Sequence, residues 1–174
     1  MFDYAIGASL FIVVVVGVIA FMPSAFAGLN DDGGVSEGDR LVADRAAENL
    51  VESGLDRTGD GRLDIHCVLA YFEGTGICGF ESGRTPALDA GIAERQPINV
   101  TIEADVERLS SERERLCWDT AAGELQAVST GNCGGSPDVA LAAGSSAADN
   151  VNYVTVTRAA TIGDQEVYIL VRTW

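Results

Sequence analysis

The chain of 174 residues carries 26 acidic residues against 11 basic ones, a formal net charge of −15, and every basic residue is Arg. No basic patch is present to release the counterions of nucleic acid, so nucleic acid and anionic lipid are not expected partners. An acidic surface without Lys suits concentrated salt, where repulsion between like charges is screened within a few Å.

The first predicted element is apolar. Residues 1–27 read M-F-D-Y-A-I-G-A-S-L-F-I-V-V-V-V-G-V-I-A-F-M-P-S-A-F-A, with Asp3 as the only charge. The uncharged run from Tyr4 to Met22 meets the roughly 20 residues that a bilayer span requires. It suits the core of a helical polymer equally well. As a helix over 2–26 it would run about 37 Å at about 1.5 Å per residue, and Pro23 should kink or stop it. Val13 to Val16 are apolar on all sides, so this helix is expected to be surrounded. A secretory signal is a rival reading, because Ala25-Phe26-Ala27 has the small-x-small form of a cleavage site. Against it, Asp3 stands where a basic n-region belongs, and no Lys or Arg precedes Arg40. The same lack of a basic flank leaves a plain transmembrane anchor without its usual orienting signal.

Asn30-Asp31-Asp32-Gly33-Gly34 breaks the chain, and Ser36-Glu37-Gly38-Asp39 resembles a capping box. A second helix is predicted over about 37–53, with Leu41, Val42, Ala46, Leu50 and Val51 on its apolar face and Gly54 ending it. Ile65 to Phe72 is an apolar run of ambiguous type. Pro97 to Glu103 alternates as a strand, and 116–120 with 125–129 reads as a hairpin. The clearest hairpin joins 151–157 to 166–174 around Ile162-Gly163-Asp164-Gln165, because Val-Thr-Val-Thr and Val-Tyr-Ile-Leu-Val are strong strand formers. Gly134 to Pro137 and Gly144 to Ser146 read as loops.

Four Cys, at 67, 78, 117 and 133, suit disulfides in an exported domain. Three pairings are possible. The local one, Cys67–Cys78 and Cys117–Cys133, is favoured because each pair brackets a Gly-containing turn. None of the spacings is that of a four-Cys zinc site. Asp56, Thr58, Asp60 and Asp64, with Gly61 at the sixth position, match the first half of an EF-hand loop. Its twelfth position holds Cys67 rather than Glu, so an Asp/Gly-rich turn is favoured over bound calcium. Asn99-Val100-Thr101 is the single N-glycosylation sequon and marks Asn99 as a candidate glycan site. His66 is the only His and has no nucleophile motif beside it. No metal site, no cofactor and no enzymatic activity are expected.

Phe2-Asp3-Tyr4-Ala5-Ile6-Gly7, running on to Phe21-Met22-Pro23, resembles the start of archaeal type IV pilin-like proteins, in particular a haloarchaeal family of uncharacterised members. Val42-Ala43-Asp44-Arg45-Ala46-Ala47, Asn99-Val100-Thr101 and the ending Val171-Arg172-Thr173-Trp174 extend the resemblance along the chain. It implies a basic leader removed by a prepilin peptidase, residence in the membrane before assembly, and polymerisation by pilus assembly machinery. Many pilins place Glu where this chain has Asp3.

On this reading the filament core is Asp3, Tyr4, Ile6, Gly7, Leu10, Phe11, Val14, Val15, Val18 and Phe21. Packing copies together restores the burial lost on leaving the membrane, at roughly 25 cal/mol per Å². Asp3 would neutralise a neighbour's α-amino group and sit favourably at its own helix N-terminus. The fold expected is α+β: a long N-terminal apolar helix plus a C-terminal globular head rich in antiparallel β-strands. Its divisions are the apolar helix at 1–28, a linker at 29–38 and an acidic extracellular head at 39–174. The function expected is structural, in a pilus-like filament on the cell surface whose partner is itself. The alternative is a monomeric membrane-tethered adhesion module.

Overall fold

The computed structural model describes residues 12, 15, 16, 37–105, 113–129, 133, 137–148 and 151–174. The chain divides into two units, Met1–Ser36 and Glu37–Trp174. Of the first, Ile12, Val15 and Val16 are described, each in helical conformation.

Helix α1, Glu37–Asn49, opens the second unit and buries Ala43, Ala46 and Ala47. Those positions are spaced as one face of a helix, and their small side chains let it lie close to the sheet. A π-helical stretch, Leu50–Leu55, continues α1 and buries its two end leucines. Strand β1 (Arg62–Leu63) leads into α2 (Ile65–Glu73), which Asp64 caps by accepting from the His66 N–H at 2.9 Å. This cap and an apolar face of Cys67, Val68, Ala70 and Tyr71 resolve the ambiguous 65–72 run as helix. The short helix α3, Pro86–Asp89, has Pro at its start and Thr85 as its cap.

The strands follow: β2 (Ile98–Asp105), β3 (Arg113–Asp119), β4 (Glu124–Ala127), β5 (Val139–Ala140), β6 (Ala142–Gly144), β7 (Val154–Ile162) and β8 (Gln165–Thr173). They form one sheet in the order β1-β7-β8-β2-β3-β4, with β5 on β3 and β6 on β2. All its pairings are antiparallel except β1 with β7. Val167, Ile169, Val171 and Thr173 of β8 alternate onto the buried face with Val100, Ile102 and Ala104 of β2. Leu141, fully buried, locks the corner: its carbonyl accepts from the Ile102 N–H and its N–H donates to the Leu116 carbonyl. Gly144 ends β6 at φ +90°, where a Cβ would lie 2.0 Å from the Ile98 carbonyl oxygen, so only Gly permits that approach.

The expectation of an α+β protein with a long N-terminal apolar helix is therefore corrected. What is described is mainly a β-sheet domain, and its longest helical element is α1 with its π-helical continuation. Among the described residues no helix is long and apolar enough to cross a membrane. The physical reason lies in the source of burial. The described helices have one apolar face each, and the strands supply half of the buried core positions. Of the filament-core residues, Val15 is described; Asp3, Tyr4, Ile6, Gly7, Leu10, Phe11, Val14, Val18 and Phe21 lie outside the described residues.

Candidate functional site

Three polar clusters on the second unit carry chemistry. The first is the loop from Asp56 to Asp64. Asp56 is 5% exposed. Its Oδ1 accepts from the Thr58 and Gly59 N–H groups at 2.8 and 2.7 Å, and its Oδ2 from the Gly61 N–H at 2.6 Å. The Thr58 hydroxyl lies 3.1 Å from the same Oδ1 and 2.7 Å from Asp60 Oδ1. Asp60 also accepts from the Arg62 N–H, and Asp64 is committed to capping α2. Burial pushes the Asp56 carboxyl up, and the N–H donors of Thr58, Gly59 and Gly61 outweigh it, so the group sits below the ordinary carboxylate range. The loop's acids are thus held as acceptors for its own backbone. Among the described residues no group of three or more His, Cys, Asp or Glu side chains is arranged to hold a metal ion.

The second cluster centres on Asp89, which sequence reasoning missed. Its side chain is 4% exposed, and Arg84 Nε stands 3.8 Å from Oδ1. That oxygen has no hydrogen-bond partner among the described residues. Burial raises the Asp89 pKa, Arg84 opposes the rise, and the net shift is upward. Burial, with the Asp89 charge nearby, also pushes the Tyr71 hydroxyl well above its ordinary range. A pocket of about 190 Å³ lies beside Asp89, between Asn49–Gly54 and Gly79–Gly91. Nothing in Pro86-Ala-Leu-Asp89 announces a buried acid, and the pocket beside it is lined in part by Asn49, Ser53 and Gly54, some 35–40 positions earlier.

The third cluster lies on the sheet face opposite α1. Arg172 donates to Asn99 Oδ1 at 3.3 Å, to Thr101 Oγ1 at 3.4 Å and to Glu103 Oε1 at 3.3 Å. Arg113 stacks 3.6 Å from the centroid of the Tyr168 ring. Asn99 Nδ2 donates to the Ala143 carbonyl at 3.4 Å, and Thr101 is 2% exposed. The sequon is therefore built into a strand, with both ends of its amide engaged.

Cys67 is bonded to Cys78 and Cys117 to Cys133, with Cα separations of 5.4 and 5.9 Å. The first bridge joins α2 to the turn before Phe80 and so ties the Asp56 loop to the Asp89 pocket. The second ties β3 to the segment after β4. The structure brings Asn99 beside Arg172. Ile12, Val15 and Val16, spaced as one side of a helix, are 59, 37 and 57% exposed. No match to the chain is found among curated proteins or among solved structures. The model of a family of unknown function (DUF7287) matches residues 1–174, and the chain belongs to that family.

Proposed function

We propose that the chain is a structural subunit of an extracellular type IV pilus-like filament, assembling through its apolar N-terminal segment and displaying an acidic, disulfide-bonded head. The observation that carries this reading is the uncharged run from Tyr4 to Met22 with Asp3 at its edge. The exposure of Ile12, Val15 and Val16 supports it, since these three leave apolar surface that a lone chain does not cover. Self-association returns that surface to an apolar setting, and the charge of −15 keeps the heads soluble around it. The N-terminal string adds the processing route: a prepilin peptidase, a membrane-inserted precursor and assembly machinery. The role is structural rather than enzymatic, and the setting is the surface of a salt-adapted cell.

Electron microscopy of the purified full chain in high salt, with helical averaging, tests the proposal. A regular filament with residues 2–26 bundled at its centre is the expected result. Discrete particles with that segment wrapped in detergent or lipid would overturn it and favour a membrane-tethered adhesion module.

A further inference from the structure

The hairpin of β7 and β8 determines which backbone groups of β7 face outward. The two strands pair from Val154↔Thr173 to Ile162↔Gln165, across a turn of Gly163 and Asp164. In a two-residue hairpin the closing pair is hydrogen-bonded, and such pairs recur at every second residue. Residues 154, 156, 158, 160 and 162 therefore turn their N–H and C=O groups toward β8, and 155, 157, 159 and 161 turn theirs outward. Thr161 obeys this parity: its N–H donates to the Gly61 carbonyl at 3.2 Å, where β1 covers the edge. Strand β1 pairs with Thr161 and Ile162 and goes no further. The outward groups of Thr155, Thr157 and Ala159 have no backbone partner among the described residues, and all three residues are exposed.

An open, β-branched edge is a template for another strand, which proteins usually blunt with charge. Here residues 150–163 contain one charged residue, Arg158, in a chain whose net charge is −15. The Arg158 guanidinium is held by Asp44 Oδ1 at 2.6 Å. A second copy meets less repulsion along this edge than along the acidic remainder.

We infer that β7 pairs antiparallel with β7 of a second copy, about a two-fold axis at Thr157. Thr157 then faces the partner's Thr157, and Thr155 faces the partner's Ala159, each such pair exchanging two hydrogen bonds. The threonine pair is a favourable cross-strand contact. Val156 faces the partner's Arg158, so the two guanidinium groups are not opposed. Because a two-fold contact closes on itself, it cannot relate successive subunits along a polar filament. It joins two filaments, or two free chains, side by side. The inference thus stands apart from the filament reading. Salt should strengthen the pairing by screening the acids that flank it.

The test uses the full chain in high salt, in detergent where it does not polymerise. The variant is Thr157→Pro, which removes an outward N–H and leaves every β7–β8 bond in place; Thr157→Val keeps the N–H and serves as the control. Sedimentation of free chains, or micrographs of filament bundling, reports pairing. Amide hydrogen exchange at 155, 157 and 159 reports its location. The expected result is that these amides gain protection as concentration rises, and that Thr157→Pro associates at least about tenfold more weakly while Thr157→Val matches the parent. Equal exchange at low and high concentration, or a Thr157→Pro variant that pairs as well as the parent, overturns the inference. Should Thr157→Pro fail to fold, exchange in the parent and in Thr157→Val decides alone. Absence of filaments with pairing intact would sink only the filament reading.

Discussion

Two loops of this molecule bury a carboxylate and treat it in opposite ways. Asp56, at the end of the π-helical stretch, receives three backbone N–H groups and a hydroxyl, and its pKa falls. Asp89, at the end of α3, has one oxygen without a donor among the described residues, and burial raises its pKa against the opposing Arg84 at 3.8 Å and the Glu81 backbone N–H. Burial penalises both charges. Donors decide the sign, because a hydrogen bond made to the ionised form favours it directly. Asp56 thus organises its loop, whereas Asp89 costs the fold something and lies against a pocket.

The two loops share the Cys67–Cys78 bridge, and cutting it is the largest perturbation of the comparison. The bridge spans a sequence separation of 11. On the chain-entropy account, replacing both Cys by Ala should remove about 3 kcal/mol of stability, readable by chemical denaturation against the oxidised parent. Gly91 is the next break point. It adopts φ +75°, and a Cβ there would lie 2.6 Å from Asn49 Nδ2, which hydrogen-bonds the Ala90 carbonyl. Gly91→Ala should destabilise by about 1–2 kcal/mol; an unchanged denaturation midpoint would show that the pocket wall yields freely.

The carboxylates themselves sharpen the contrast, because their effects have opposite signs. Asp56 has a lowered pKa, so its contribution is present above the ordinary carboxyl value of 3.8 and is lost as pH falls below it toward the folded value. Asp56→Asn should lower the melting temperature at pH 7 and flatten its acid limb. Asp89 has a raised pKa, so its favourable, protonated form is fully populated below 3.8 and is lost as pH rises through the folded value. Asp89→Asn should therefore raise the melting temperature slightly at neutral pH, with the gain shrinking in acid. A lower melting temperature at pH 7 would mean that the contact with Arg84 outweighs burial.

Local patterns were readable where the chain pairs with its near neighbours. A helix near 37–49 was legible but its buried face only in part: Ala43, Ala46, Ala47 and Leu50 are buried, whereas Leu41, expected on that face, is exposed, and Gly54 lies within the π-helical stretch instead of ending the helix. The β7–β8 hairpin follows from alternation around a Gly-Asp turn, though the paired strands reach the turn more closely than the pattern places them. The run at 65–72 is ambiguous in sequence because eight largely apolar residues fit strand or helix; the Asp64 cap settles it. Strand β6 has no signal in the sequence, whose loop at Gly144–Ser146 overlaps it only at Gly144, because Ala-Ala-Gly has no strand preference of its own. It exists through its pairing with Asn99–Thr101, more than 40 residues earlier. The acids at 56, 60 and 64 were visible as an Asp/Gly-rich turn, since each meets donors within a few positions. Asp89 was not, since its surroundings are assembled from distant segments.

The sequence by itself determined the charge, the apolar run, the turn chemistry and the alternation of the main strands, because these depend on residue type and on neighbours a few positions away. Only the tertiary structure decided that the described chain is dominated by one sheet, that Asp89 is buried beside a pocket while Asp56 is fully satisfied, and that the outer edge of β7 beyond β1 has no backbone partner among the described residues. Those outcomes rest on which distant segments meet. Burial and hydrogen-bond satisfaction belong to the assembled fold and to no single stretch of it.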